Sequence, residues 1–222
     1  MVTYRDRTKL RYLIEGIILI AEISGDLIKS QKIPQQEYDA MLYQLDQSLR
    51  FVAKRFNASF TIYRGDALQL QLTEPELVCH AAILLYLQMK AANYELRQSL
   101  AIGSLDNPRA DIKTATGSAY TLSGRGLDNI GQQRLVLNIE NNPLEEGFAL
   151  NIALVEVLLE KMSQKQANAL FYYLTAENNS HAELAKELNT SRENVTKLLN
   201  LAHYQLIERF INYSQTTLKG LL

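Results

Sequence analysis

The sequence predicts an α+β fold: a mainly antiparallel sheet with helices on one face, followed by an all-α segment. Three observations predict it. Short apolar or alternating runs, which read as strands, recur between longer stretches whose apolar residues step by three or four, which read as helices. Their order up to residue 139 is β-α-β-β-α-β and then α and β. From residue 148 onward every segment reads as a helix.

The elements follow in order. "GIILIAEIS" (16–24) is short, β-branched and ended by Gly25-Asp26, a buried strand. Residues 35–56 form an amphipathic helix through Tyr38, Leu42, Leu45, Leu49, Val52 and Phe56, with Pro34 at its start. "SFTIYRGDALQLQL" (59–72) is a hairpin whose Phe60 and Ile62, then Leu68, Leu70 and Leu72, alternate around a Gly-Asp turn. Residues 75–94 are a helix that begins at Pro75 and is apolar on more than one face, so it packs broadly. "LRQSLAIGS" (96–104) is a strand, 117–131 a glycine-containing helix, and "QRLVLNI" (133–139) a strand. This is the split βαβ order of a ferredoxin-like sheet.

"NNPLEEG" (141–147) marks a boundary by its polar, Pro- and Gly-containing composition, which divides the chain into 1–147 and 148–222. A connecting helix spans 148–162. Ser163 with Gln166, and Ser180 with Glu183, are capping boxes that open two short helices. After the turn "NTS", one long helix from Arg192 to Ser214 is entered through Thr190 or Ser191. Its apolar spacing runs through Val195, Leu199, Ala202 and Leu206. Two helices joined by a tight turn in this way make a helix-turn-helix.

The bulk composition excludes several classes. A chain of 222 residues that is 47% hydrophobic and 21% charged is globular rather than disordered. A net charge of −1 implies no general attraction to nucleic acid or anionic membrane. Cys79 is the one cysteine, so no intrachain disulfide and no cysteine-based zinc site can form. No apolar run reaches the roughly 18 residues of a membrane span, and the charged N-terminus lacks a signal-peptide core. A soluble cytoplasmic protein without membrane contact is expected.

Asp26 and Asp66 carry the chemistry. In a split βαβ sheet the first two strands run parallel, so their C-terminal ends share one edge. Asp26 follows the first strand and Asp66 sits in the turn that ends the second. Two carboxylates brought together repel unless a divalent cation lies between them, and Mg²⁺ is commonly held by one or two carboxylates plus phosphate oxygens. Gly25 and Gly65 let backbone approach a ligand closely. Arg125 offers a planar fork of donors to a phosphate. Each Gly-Asp is, equally, an ordinary turn signal. Asp106, Asp111 and Asp128 read as solvated.

"ISGDLIKSQKI", "FTIYRGDALQLQL", "LAIGS" and "GSAYTLSGRGL" together resemble the SatD family and, more distantly, class III nucleotidyl cyclase catalytic domains. The resemblance spans about residues 16–210 and includes a C-terminal helix-turn-helix. It implies a cyclase-like sheet, Asp26 and Asp66 as ligands of Mg²⁺ or Mn²⁺, and Arg125 as the arginine that contacts triphosphate. It also implies head-to-tail pairing of two copies, hence a homodimer. Where those relatives carry an asparagine four residues before the arginine, this chain has Thr121, a candidate ligand contact. Ile62 and Thr114 replace their purine-selecting lysine and aspartate.

A second site is the start of the last helix, where Ser191, Arg192, Asn194, Thr196 and Lys197 suit base edges or phosphates of DNA. Ser163, Lys165 and Gln166 suit the DNA backbone. Residues 161–222 carry seven Lys and Arg against five Asp and Glu, while residues 1–160 carry 16 against 19. The tail is thus mildly basic against an acidic body. The first reading is therefore a DNA-binding, transcriptional regulator whose cyclase-like domain senses a nucleotide or phosphate ligand with divalent metal, or dimerises. The alternative is a metal-dependent nucleotidyl cyclase or related nucleotide-processing enzyme. A structural or interaction protein with neither chemistry is the third.

Overall fold

A computed structural model of the chain describes residues 13–14, 17–109, 111–140 and 145–221. A short β1 (Leu13–Ile14) pairs with β2 (Ile17–Leu27). Then follow α1 (Gln35–Phe56), β3 (Ser59–Tyr63), β4 (Ala67–Leu72), α2 (Val78–Ala91), β5 (Leu96–Ser104), α3 (Ser118–Asp128) and β6 (Leu135–Ile139). The fold is the α+β one that the sequence predicts. Strands lie in the order β3-β4-β2-β5-β6. All neighbours are antiparallel except β5 and β6, which run parallel with α3 as the crossover. Because β2 and β3 are both antiparallel to β4, they run parallel to each other, as the split βαβ order requires.

The alternation of side chains along each strand assigns two faces. Ala21 and Ile23 of β2, Leu68, Leu70 and Leu72 of β4, and Leu100 and Ile102 of β5 are all buried and share the face beneath α1 and α2. Helix α1 turns Met41, Leu45, Leu49, Val52 and Phe56 inward, a stripe at helical spacing. Helix α3 lies on the opposite face over β2, β5 and β6, so helices cover both faces of the sheet and not the single face that the sequence predicts. There the strands carry Glu22, Ser24, Ser99, Ala101 and Gly103.

Helices α4 (Glu145–Glu160), α5 (Gln164–Thr175), α6 (His181–Glu187), α7 (Arg192–Leu201) and α8 (Tyr204–Leu221) complete the chain. The expected boundary begins in residues 141–144, which lie outside the described residues. Helices α5 and α8 pack on α2, which explains why α2 is apolar nearly all round. Leu170, Leu184, Val195, Leu199 and Ile207 join the same buried cluster as the sheet's apolar face. Ser163 and Gln166 form the reciprocal cap that opens α5.

The last expected helix is also corrected. The single helix from Arg192 to Ser214 is two helices, broken where His203 takes φ 51°. A non-glycine residue in the left-handed region cannot continue a right-handed helix. The break shifts the phase of the apolar stripe, so Ile207 is buried and Leu206 is 50% exposed. Periodicity alone carried the stripe through because Val195, Leu199 and Ala202 do face inward.

Candidate functional site

The parallel course of β2 and β3 brings Asp26 and Asp66 to one rim of the sheet, where both line a cleft of about 680 Å³. Strand β2 runs on to Leu27, so Asp26 lies within the strand and not after it. There it stands directly opposite Arg97 of β5 in the antiparallel register. Arg97 Nε donates to Asp26 Oδ1 at 2.5 Å and Nη2 donates to Oδ2 at 2.8 Å. Both carboxylate oxygens are thereby engaged in a bidentate, charge-assisted pair. The neighbouring Gly25 is buried, and a Cβ there would stand 2.8 Å from the Arg97 carbonyl oxygen. The glycine lets the two backbones close beside the ion pair.

Asp66 sits in the β3–β4 turn after Arg64 (φ 51°) and Gly65 (φ 92°). Gly65 meets the turn's need for positive φ, and a side chain there would also run into the Tyr38 hydroxyl. Asp66 has no hydrogen-bond or ion-pair partner among the described residues. Lys29, Lys32 and Arg64 line the same cleft, also without a carboxylate partner among the described residues. Arg134 reaches it too, but lies 3.7 Å from Glu95 and 3.8 Å from Glu160.

The donor set does not fit a divalent cation as it stands. Mg²⁺ requires about six oxygen ligands at roughly 2.0–2.1 Å. Asp26 has spent both oxygens on a guanidinium, and Asp66 alone is left. Among the described residues no group of three or more His, Cys, Asp and Glu is placed to hold a metal.

Arg125 and Thr121 lie elsewhere. Both are on α3 and line a second cleft of about 720 Å³ with Ser104, Asp106, Ser118 and Glu140. Ser104 ends β5, which is antiparallel to β2, so this cleft opens at the opposite rim from Asp26. Ser118 donates to Glu140 and, at 2.7 Å, accepts from the Ser104 amide, while Thr121 Oγ1 donates to the Gly117 carbonyl at 3.3 Å. Within one chain the acid pair and Arg125 are not brought together.

Beneath α3, Glu22 is fully buried. Burial pushes its carboxyl up to about 8, against the opposing effect of hydrogen bonds from Ser123 and Ser24. Ser24 Oγ lies 3.1 and 3.2 Å from the carboxylate oxygens and 3.1 Å from Ser123 Oγ. A glutamate inside "GIILIAEIS" was the sequence signal for this group. Arg97 had none, because its partnership with Asp26 depends on register.

At the C-terminal helices, Ser191 accepts from the Asn194 amide at 3.2 Å and caps α7. Asn194 Nδ2 donates to Thr190 Oγ1 at 2.9 Å. Thr196 Oγ1 donates to the Arg192 carbonyl at 3.0 Å and meets His181 Nδ1 of α6 at 2.8 Å. Arg192 and Lys197 are exposed. Tyr173 and Tyr204 make an edge contact at 4.9 Å between ring centroids, packing α5 on α8. No helix among the described residues is long and apolar enough to cross a membrane.

No family model matches the chain, and no curated protein matches it in sequence. Solved structures similar to part of it include nucleotide cyclases. A bacterial light-regulated adenylyl cyclase is 12% identical over 55% of this chain and 76% of that one, with a TM-score of 0.43. The guanylyl cyclase Cya2 is 12% identical over 55% and 75%, at 0.44. The guanylyl cyclase domain of the RhoGC fusion protein from the aquatic fungus Blastocladiella emersonii is 15% identical over 50% and 73%, at 0.42. These likenesses are distant, and the α+β fold rests on the chain's own strand order and register.

Proposed function

We propose that the chain is a nucleotide-binding protein of cyclase-like architecture, which takes the phosphate groups of its ligand in the cleft at the Asp26–Asp66 rim. One observation carries this reading. Lys29, Lys32 and Arg64 line the cleft without a carboxylate partner among the described residues, while the charge of Asp26 is already balanced by Arg97. A concave site with surplus positive charge concentrates anions, and multiple N–H donors suit phosphate oxygens. The volume, about 680 Å³, lies in the range of small-molecule sites, roughly 300–1,000 Å³.

As an enzyme the chain would work as a homodimer. Arg125 and Asp26 line different clefts, so an Arg125 acting at this cleft would come from a head-to-tail partner. Calorimetric titration with ATP, GTP, CTP and UTP tests the binding. Saturable binding to at least one is expected, and Arg64→Ala should weaken it by about tenfold, the effect of one lost charge-assisted contact. The absence of binding to all four sinks the reading. Product analysis of the same mixtures asks separately whether turnover follows.

A second reading concerns the C-terminal helices. The cap at Ser191 starts α7 with Arg192 and Lys197 facing solvent, and the His181–Thr196 contact fixes α7 against α6. This arrangement suits contact with DNA by the first turns of α7. Mobility-shift assays should show binding that weakens steeply with salt and is lost in Arg192→Ala with Lys197→Ala.

A further inference from the structure

We propose that Arg97 stands in the place of a divalent cation beside Asp26, so that the cleft grips a polyphosphate directly and without metal. The inference rests on the nucleotide-binding reading and specifies how that site works. Asp26 and Arg97 are opposite partners in the β2–β5 ladder, so the pair is positioned by nine consecutive backbone register pairs and not by mobile loops. The pair uses the Nε and Nη2 edge of the guanidinium. Arginine has five N–H donors, so Nη1 and the second hydrogen of Nη2 stay available for a phosphate oxygen.

The electrostatics point the same way. A cation that entered between Asp26 and Asp66 would have to displace a guanidinium at 2.5–2.8 Å from both Asp26 oxygens. It would also enter a cleft already lined by Lys29, Lys32 and Arg64. Like charges raise the cost of such a site, and Asp66 supplies one carboxylate where an octahedral ion wants several oxygens. An anion meets the reverse situation. Lys29 and Lys32 flank the short turn that follows β2, and Arg64 stands on the facing hairpin turn. The phosphate chain would lie between these two turns, with Arg97 beneath it. The role a metal would play, neutralising phosphate charge next to a carboxylate, is then taken by a side chain of the protein.

The test is calorimetric titration of the full chain with inorganic triphosphate and with ATP, each in EDTA and again in Mg²⁺ or Mn²⁺. Binding in EDTA within about threefold of that with metal supports the proposal. Triphosphate that binds as tightly as ATP locates the recognition in the phosphates; ATP alone binding in EDTA overturns the direct grip on phosphate. Binding that appears only with metal overturns the proposal and leaves the nucleotide reading intact. No binding under any condition overturns both. A second readout uses Mn²⁺ alone, followed by water-proton relaxation. The wild-type chain should show no saturable Mn²⁺ site, while Arg97→Ala, which frees Asp26 to join Asp66, should gain one. Arg97→Lys keeps the charge without the fork and should lose affinity for triphosphate without gaining Mn²⁺. Saturable Mn²⁺ binding by the wild type at this rim, abolished by Asp66→Asn, would overturn the assignment.

Discussion

Leu100 and Ser99 are neighbours on β5 and face opposite layers. Leu100 points into the apolar layer beneath α1 and α2, with Ile23 of β2 opposite it. Ser99 points under α3, with Ser24 opposite it and Glu22 two residues along. Both residues are fully buried. The first layer is held by non-directional burial of large side chains, which tolerates small shifts. The second is held by small residues at close approach and by hydrogen bonds around a carboxyl group, which tolerate none. Equal burial therefore does not mean equal contribution to stability. Burial raises the Glu22 carboxyl in this layer to about 8, so the layer is expected to weaken as that proton is lost.

The largest effect should come from the apolar side. Leu100→Ala is expected to cost about 2–5 kcal/mol, and Ser99→Ala less than about 1.5, by urea denaturation. Equal costs would break the contrast between the faces.

Glu22→Gln comes next, and its sign depends on pH. The folded carboxyl titrates near 8 and the unfolded one near 4.5. Between those values the folded state keeps a proton that the unfolded chain releases. Stability should therefore fall as pH rises through this window, and the loss is complete above it. The glutamine variant lacks this slope. It should match the wild type near about pH 4 and be more stable by up to a few kcal/mol near about pH 9. Parallel pH profiles for the two proteins would show that Glu22 stays ionised in the fold.

Smaller effects separate fit from propensity within α3. A Cβ at Gly126 would collide with Ser99 Oγ and Asn138 Nδ2, whereas at Gly124 it meets nothing within 4 Å. Gly126→Ala should destabilise by about 1–3 kcal/mol. Gly124→Ala should stabilise by up to about 1 kcal/mol through helix propensity. If both stabilise, the close approach of α3 to the sheet is not needed. Outside both faces, Ser163→Ala should cost about 1 kcal/mol by loss of the α5 cap, a baseline for local effects.

Much of this architecture was legible in the chain. Strand and helix order, the hairpin at Gly65-Asp66, the span of α1 and the Ser163 cap all follow from patterns within a few residues. The convergence of Asp26 and Asp66 was legible too, since it follows from strand order. What failed was local. Apolar spacing ran through Ala202 into a helix that His203 interrupts, because an asparagine-like left-handed turn at a histidine leaves no periodic trace.

The sequence by itself determined the α+β element order and which carboxylates would share a rim, because both depend on short-range periodicity and on the single way a split βαβ unit closes. Only the tertiary structure decided what those carboxylates meet. Arg97 reaches Asp26 through a strand register 71 residues away, while Arg125, on α3, lines a different cleft from Asp26. Register and strand direction come from packing the whole apolar face at once. A shift of one residue in β5 would turn Arg97 away from Asp26 toward the layer beneath α1 and α2 and move Leu100 out of it, a choice made by the sum of the core and by no residue near the site.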